Sequence, residues 1–368
     1  MQHLPIFLSA ISLPEPGSTG AFVLWSVVKI VVAIGVLLTM VAYSVLVERK
    51  VSAFIQDRVG PNRVTLPLIG SIPVIGPFLA KCGIWQPLAD GLKSFLKEDF
   101  TPAHVRKVYF WLAPAITMIP AFLTVAVIPF GSTLGHQQMV IANLNVGILY
   151  TFGIVSLGVY GIVLAGYAAN SKYPFLGGIR SSAQMISYEI AMGMSVIPVF
   201  MLVGSLNLSD VIAYQTHCWL VFKQPIAFIV FLVAAFAETN RLPFDMPECE
   251  TELVAGYNTE YSSMKFAMFF MGEYANMIAS SAMMVTLFLG GWTLPGFDQP
   301  TATIAGGLLS IFIFLAKVCL LMLLFIWVRW MMPRFRYDQL MHLGWQRFIP
   351  LTLANIFVTA LVLWLLAR

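Results

Sequence analysis

The sequence predicts an all-α integral membrane protein: a polytopic helix bundle with about eight transmembrane helices and an amphipathic helix on the cytoplasmic side. Hydrophobic residues make up 59% of the 368 residues and charged residues only 10%, and the mean hydropathy is +0.84. Soluble domains of this length do not have so apolar a composition. Eight windows are long and apolar enough to span about 30 Å of hydrocarbon as helices. We therefore treat residues 1–368 as a single integral membrane domain.

The predicted spans are distributed over the whole chain. The fifth is the shortest, and we expect it to be tilted or partly buried by neighbouring helices. Residues 1–20 lack a basic start followed by an apolar run, so no cleavable signal peptide is expected. The spans lie near 24–47, 108–130, 145–168, 184–203, 225–239, 263–289, 306–331 and 347–366.

The distribution of lysine and arginine predicts the orientation. Seventeen of the 21 basic residues fall in the loops after spans 1, 3, 5 and 7. The positive-inside rule places these loops in the cytoplasm and both termini outside. The outside loops are short and almost uncharged, whereas a solute transporter should offer polar access from both faces.

The first cytoplasmic loop, residues 48–107, combines a basic entry with an amphipathic segment at 85–99. The apolar stripe of this segment is Leu88, Leu92, Phe95 and Leu96, and its charged face carries Asp90, Lys93 and Lys97. Such a helix suits the plane of the membrane surface. Composition favours a basic entry that anchors at the lipid headgroups and a helix that docks on the membrane surface. The alternative is that the helix lines an entrance at the level of the lipid.

Two carboxylates fall inside predicted spans. Glu189 lies about six residues into span 4, roughly 9 Å at 1.5 Å per residue. Glu273 lies deeper, in span 6. Ionisable groups at such depth are costly and usually move charge or bind something polar. Ion pairing with a basic residue elsewhere is the alternative explanation.

Residues 238–262 form an acidic loop between spans 5 and 6. Seven of the 17 carboxylates lie between Glu238 and Glu273. Asp245 and Glu248 have the spacing of a capping box, with proline in the first turn, so a helix start accounts for these two. The acids that a cap does not explain are Glu238, Glu252, Glu260 and Glu273. Because crowded carboxylates titrate together, we expect this loop to handle protons.

Further along the chain, Arg334, Arg336 and Asp338 follow span 7 and could brace the acidic loop or a partner subunit. The four cysteines are scattered without a C-x-x-C pair, and no glycine-rich nucleotide motif occurs. We expect no metal, no redox cofactor and no nucleotide bound by this chain, and no nucleic acid partner.

Five long stretches match one known family in order. The chain closely resembles the membrane subunit of respiratory complex I that forms the quinone chamber, called the H subunit in bacteria and subunit 1 in mitochondria. The resemblance runs in register from about residue 24 to the end. The matching stretches are ERKVSAFIQDRVGPNRV at 48–64, LADGLKSFLKEDF at 88–100, KYPFLGGIRSSAQMISYE at 172–189, AETNRLPFDMPECETELVAGYNTEYSSMKFAMFFMGEY at 237–274 and PRFRYDQLMHLGW at 333–345.

The resemblance implies a subunit of NADH:quinone oxidoreductase, with quinone as the substrate and no redox centre in this chain. FMN and iron–sulfur clusters are then expected in partner subunits, and the terminal cluster reduces quinone in the peripheral quinone module. Small membrane subunits link the chain to antiporter-like subunits, and lipid surrounds it. Quinone is expected to contact the first cytoplasmic loop and the loop between spans 5 and 6.

The resemblance also implies residue roles. The acids of the coupling loop are Asp245, Glu248, Glu250, Glu252 and Glu260. The buried proton relay is Glu189, Glu238 and Glu273. The chamber, portal and brace positions are Glu48, Arg49, Arg58, Asp90, Lys93 and Arg336. The sequence departs from the family pattern at two places, which limits the residue roles that can be carried over. An extra apolar segment within 65–84 is expected to reshape the portal, and the residues around Glu238 follow the mitochondrial-like pattern.

A bacterial inner membrane is favoured over a mitochondrial one, with both termini on the periplasmic side. Two rival functions stay open on the sequence. One is the equivalent subunit of a non-NADH dehydrogenase or an energy-converting hydrogenase. The other is a stand-alone secondary transporter, which predicts internal repeats that this sequence lacks.

Overall fold

The structure of this protein is a computed structural model that describes residues 19–65, 80–134, 137–246, 254–295 and 304–367. These ranges are almost wholly helical, which confirms the predicted all-α class. Two short antiparallel strands, β1 (Thr133–Leu134) and β2 (Gln137–Gln138), pair Thr133 with Gln138. The principal helices are α1 (Thr19–Ile55), α2 (Gln86–Leu96), α3 (Lys107–Thr124), α4 (Gly147–Ala168), α5 (Lys172–Val203), α6 (Leu208–Tyr214), α7 (Leu220–Lys223), α8 (Pro225–Glu238), α9 (Ser263–Phe288), α10 (Ile304–Met331), α11 (Tyr337–His342) and α12 (Ile349–Leu366), with a 3-10 helix at Gly256–Asn258 and a π-helical segment at Leu343–Phe348.

Among the described residues, six helices are long and apolar enough to cross a membrane. They are α1 from Val23 onward, α3, α4, α5, α10 and the continuous helix Tyr337–Leu366. The sequence predicts eight spans, and the fifth and sixth of these do not meet the same criteria. The fifth, α8, has 14 residues, about 21 Å of helix, which is shorter than the hydrocarbon layer. The chain is a multi-pass membrane protein on the strength of the other six.

The sixth predicted span, α9, is long enough at 26 residues but carries Lys265, Glu273 and Asn276, which lower its hydropathy. Most of its side chains are nevertheless buried. The helix contacts α1, α2, α3, α8 and α10, so it has protein rather than lipid around it. Polar residues at membrane depth are tolerated on such an interior helix. From this central position α9 forms one wall of the cavity that is described below.

Two helices extend beyond their predicted spans. The first, α1, ends at Ile55 rather than near residue 47, and α5 begins at Lys172 rather than near 184. Glu48 therefore lies inside a helix, and Glu189 lies about 17 residues, roughly 26 Å, after the start of α5 instead of six. Hydropathy windows detect only the part of a helix that suits hydrocarbon. Glu, Arg and Lys are good helix formers, so the helices continue through charged sequence.

Close backbone contact places α5 at the centre of the bundle. A Cβ atom at Gly166 would lie 2.7 Å from the carbonyl oxygen of Pro174 and 3.3 Å from the Cα of Gly178. Small residues at such crossings let α4 and α5 pack backbone to backbone. On its other sides α5 contacts α8 and α12, and the Tyr188 hydroxyl donates to the Leu340 carbonyl at 2.9 Å. Glu189, the next residue, is half-buried.

The predicted amphipathic helix is present as α2, and it leans on α1 and α9. The Ser263 hydroxyl at the start of α9 lies 2.9 Å from both the Ser94 and Lys97 carbonyls. Asp90 accepts a hydrogen bond from Arg49 at 2.6 Å. The four residues of the predicted apolar stripe are exposed in this chain, from 49% at Leu88 to 84% at Leu96. This stripe fits an interface with lipid, as predicted for a helix in the membrane surface.

Candidate functional site

A cavity of about 560 Å³ lies between α1, α2 and α9. Most of its wall is apolar, but one end carries the charged residues Glu48, Arg49, Asp90 and Arg329. Ligand sites commonly combine an apolar lining with a few convergent polar groups, and they have this size. The remaining lining residues are Leu38, Val41, Ala42, Val45, Leu46, Gln86, Pro87, Gly91, Ser94, Phe95, Met264, Phe266, Ala267, Phe270, Met271 and Tyr274.

Glu48 is the centre of a charge cluster at the polar end of this cavity. Its side chain is only 9% exposed, because α1 packs against α9 and α10 at this level. One carboxylate oxygen accepts from the Tyr274 hydroxyl at 2.6 Å and from Arg241 at 3.2 Å. The other accepts from Arg329. These three donors compensate the negative charge of the buried carboxylate.

Arg241 links Glu48 to a second buried acid. Its Nε lies 3.5 Å from Glu273, and its guanidinium stacks 4.2 Å from the centroid of the Tyr274 ring. Burial opposes the positive charge, but the neighbouring acids and Tyr274 outweigh it and raise the pKa of Arg241 above its ordinary value. With Arg329, two guanidiniums face the two carboxylates Glu48 and Glu273. Glu273 therefore forms an ion pair, which is the alternative explanation that the sequence analysis gives for an acid inside a predicted span.

Side-chain contacts fix the described start of the acidic loop. The predicted capping box extends to Glu248, which lies outside the described residues. The Gln184 side-chain amide of α5 donates to the Ala237 and Phe244 carbonyls at 2.6 Å each. Asp245 pairs with Arg334 at 2.8 Å. The brace predicted after span 7 therefore includes Arg334. Arg336 instead lies 3.5 Å from Asp338 on the exposed surface.

Glu238 closes a second, very small cavity inside the bundle. It ends α8, is 7% exposed, and lies within electrostatic range of Glu189. The cavity, about 20 Å³, also has Thr151 of α4 and Ser280 of α9 in its wall. This volume is enough for one water molecule. The cavity therefore has room for one water molecule beside the Glu238 carboxyl group.

Other predicted site residues lie apart from these two cavities. Glu260 lies 3.8 Å from His104. Arg58 contacts Gln56 on the surface, and Lys93 faces away from the larger cavity. Glu248, Glu250 and Glu252 lie outside the described residues, as does most of the extra apolar segment within 65–84. The described part of the acidic loop does not line the larger cavity; α9 takes that place.

Four residues with polar contacts inside the bundle had no assigned role in the sequence. They are Arg241, Tyr274 and Arg329 of the charge cluster, and Lys317, which lies outside the cluster. A signal for the first three existed, because a buried Glu48 requires donors nearby. Lys317 of α10 donates to the Leu289, Gly291 and Thr293 carbonyls at 2.6–2.9 Å, and so caps the C-terminal end of α9. Such a cap is favourable, since a cation there meets the negative end of the helix dipole. No sequence pattern indicates which helix end a lysine in the middle of a span will reach.

No metal site is evident in the part of the chain that the structure describes, where no three His, Cys, Asp or Glu side chains come together. The acids of the larger cavity are instead neutralised by arginine and lie beside an apolar wall. This arrangement suits an uncharged ligand that is largely hydrocarbon and has a polar head.

Comparisons with known proteins agree with this chemistry. A family model described as NADH dehydrogenase matches residues 28–360. The first NADH-quinone oxidoreductase H subunit of Cytophaga hutchinsonii is 46% identical over 348 residues, covering 92% of this chain and 96% of that protein. The second such H subunit of Koribacter versatilis is 47% identical over 366 residues, covering 94% and 98%. The corresponding H subunit of Paramagnetospirillum magneticum is 50% identical over 337 residues, covering 92% of both chains. The chain therefore belongs to the NADH dehydrogenase family that contains these H subunits.

Proposed function

We propose that this chain is the membrane subunit of a proton-translocating NADH:quinone oxidoreductase, in which it forms the membrane part of the quinone chamber. The observation that carries the proposal is the larger cavity, apolar along most of its wall and charged at one end. A quinone has the same division: a polar ring and a hydrocarbon tail. Its ring fits near Glu48 and Tyr274, and its tail fits between α1 and α9.

The cavity reaches the level of the lipid through α2. This helix contributes Gln86, Asp90 and Phe95 to the cavity wall, while its apolar stripe is exposed. A quinone dissolved in the bilayer can therefore approach along the same surface that contacts lipid. The chain itself supplies no electrons in this proposal. FMN and iron–sulfur clusters in partner subunits carry them to the quinone.

Arg241 offers a route from quinone reduction to proton movement. It is shared by Glu48 in the cavity wall and Glu273 beside it. Reduction of the quinone to its quinol consumes two electrons from the partner subunits and two protons. In this proposal one proton passes to the reduced ring through Glu48, and the carboxyl group is neutral while it carries that proton. Arg241 then interacts more strongly with Glu273 than with Glu48. The loop that carries Arg241 begins three residues earlier, at Glu238. We propose that Glu238 and Glu189 receive this signal as a proton relay.

The acidic loop completes the coupling element in this proposal. Asp245 is held by Arg334 at its start, and Glu248, Glu250, Glu252 and Glu260 follow in the sequence. Peripheral quinone-module subunits, including the one with the terminal iron–sulfur cluster, meet this cytoplasmic face. Small membrane subunits continue the relay toward antiporter-like subunits. The assembly lies in a bacterial inner membrane, with both termini of this chain on the periplasmic side.

A photoreactive ubiquinone analogue, with the reactive group on the ring, tests the placement of the quinone. In the purified complex we expect it to label peptides from 38–49, 86–95 and 264–274, because these segments line the larger cavity. Excess unreactive quinone should suppress the label. Mass spectrometry of the digested chain identifies the sites.

A matched pair of variants makes this test specific. Ala42→Trp fills the cavity and should abolish most labelling, since Ala42 lies in its wall. Tyr43→Trp changes the neighbouring exposed residue, which lies outside the wall, and should leave labelling intact. Labelling confined to α10 and α12, or equal loss in both variants, would contradict the proposed site.

A further inference from the structure

One corner of the bundle brings the start of α3 against the turn between α4 and α5. The backbone N–H of Arg106 donates to the Ala168 carbonyl at 3.0 Å, and the Asn170 side-chain amide donates to the His104 carbonyl at 3.1 Å. The helix α3 begins at Lys107, directly after the first of these bonds. The distribution of basic residues predicts that this end of the bundle faces the cytoplasm. The corner therefore lies where the helices leave the membrane, at the level of the lipid headgroups.

Three exposed cations lie at this corner without an acidic partner among the described residues. The acids nearby have contacts of their own. Asp99 pairs with Lys265 at 3.1 Å, and Lys265 also lies over the Trp111 ring of α3. Glu260 lies 3.8 Å from His104, so the corner keeps a net positive charge. We call the three residues the corner cations; they are Arg106, Lys107 and Lys172.

Tyrosine rings beside the corner cations supply an apolar surface. The Arg106 guanidinium lies 4.3 Å from the centroid of the Tyr167 ring and donates to the Tyr167 hydroxyl. The Tyr109 ring meets the Tyr167 ring edge to face at 6.2 Å, and both rings are partly exposed. Tyrosine is enriched at membrane–water boundaries because its ring suits lipid and its hydroxyl suits the headgroups. On the same face of α4, Val163 and Tyr160 are exposed one and two turns deeper, so the apolar surface continues beneath the cations.

We propose that the corner cations bind the headgroup phosphate of an anionic phospholipid, whose acyl chain lies along the exposed faces of α3 and α4. The proposal does not depend on the proposed function. A zwitterionic lipid carries an ammonium group that three neighbouring cations repel, whereas phosphatidylglycerol or cardiolipin brings negative charge alone. Inorganic phosphate has the charge but lacks the chain that the apolar surface contacts. Charge and surface together therefore select an anionic lipid of the cytoplasmic leaflet.

A photoreactive phosphatidylglycerol, with a diazirine in its acyl chain, tests this site when it is titrated into phosphatidylcholine nanodiscs that hold the intact complex. We expect label in peptides that contain 106–112 and 160–167. Arg106→Gln and Lys172→Gln should each raise the probe fraction needed for half-maximal labelling by roughly fivefold, the factor expected for one cation at a membrane surface. Arg106→Lys keeps the charge and should retain most of the labelling. Arg347→Gln removes an exposed cation elsewhere and is the matched control, which should label like the wild type.

The same experiment distinguishes the other occupants. A phosphatidylcholine probe with the same diazirine chain should label the corner far less, and equal labelling by both probes, or equal loss in Arg347→Gln, would overturn the inference. Displacement of the label by inorganic phosphate, beyond the effect of chloride at matched ionic strength, would assign the site to a free anion and overturn it too. Absence of label in the assembled complex would show that a protein partner covers the corner, with the same consequence. Native gels establish that each variant assembles; if Arg106→Gln does not, Lys172→Gln decides the question, since Lys172 is an exposed residue.

Discussion

Arg241→Met is expected to destabilise the protein by about 3–5 kcal/mol, because it leaves Glu48 and Glu273 buried without their shared cation. Arg241 is 5% exposed at its side chain and joins the two acids at 3.2 and 3.5 Å. Arg336→Gln is the matched control. This variant removes the ion pair between Arg336 and Asp338, whose side chains are 78% and 70% exposed. Such exposed pairs contribute less than about 1 kcal/mol to stability.

Thermal unfolding of the purified complex and assembly on native gels measure this effect. The double variant Arg241→Met/Glu273→Gln removes one carboxylate together with the cation and restores the balance of charge. It should recover a substantial part of the lost stability. If Arg241→Met behaves like Arg336→Gln, or if the double variant is less stable than Arg241→Met, the cluster is not held together by its buried charges.

Glu189→Gln is expected to leave the complex assembled and to lower proton pumping per quinone reduced by about tenfold or more, the scale of a lost proton-transfer group. Glu189 is half-buried on α5 and lies within electrostatic range of Glu238, which lines the small cavity. Glutamine keeps the shape of the side chain and its hydrogen bonds but cannot release a proton. Glu238→Gln should act in the same direction.

The measurement uses the complex in liposomes, with a pH-sensitive dye inside and quinone reduction followed in parallel. Asp210→Asn is the control, since Asp210 is an exposed acid on α6 that contacts only Ser205 among the described residues. Pumping at the wild-type ratio in Glu189→Gln would remove Glu189 from the relay. Loss of assembly would show instead that the acid has a structural role.

Much of the site is predictable from the sequence because membrane proteins place few charges in apolar helices. The sequence singles out Glu48, Arg49 and Asp90, and they meet at one cavity. It groups Glu189 and Glu238 as a relay, and they lie within electrostatic range of each other. The resemblance to the complex I membrane subunit implies these roles. For Glu189 the sequence adds a physical signal, since a charge at membrane depth is kept only where something requires it.

The partners of these charges are not predictable in the same way. Glu48 and Arg329 are 281 residues apart, and Glu48 and Tyr274 are 226 apart. No local pattern links residues at such separations, and the packing of α1 between α9 and α10 brings them together. The helices α1 and α5 are longer than the predicted spans. Hydropathy detects the part of a helix that suits lipid, whereas these helices continue through charged sequence.

The sequence by itself determined the helical membrane class, the family, and the positions of the costly charges, because each is a matter of composition and order along the chain. The tertiary structure alone decided that α9 is interior despite its polar residues, and that Arg241 is shared by Glu48 and Glu273. It alone decided that a cavity with a charged end lies between α1, α2 and α9. These features depend on which helix faces meet, and a helix face is defined only by the neighbour that packs against it.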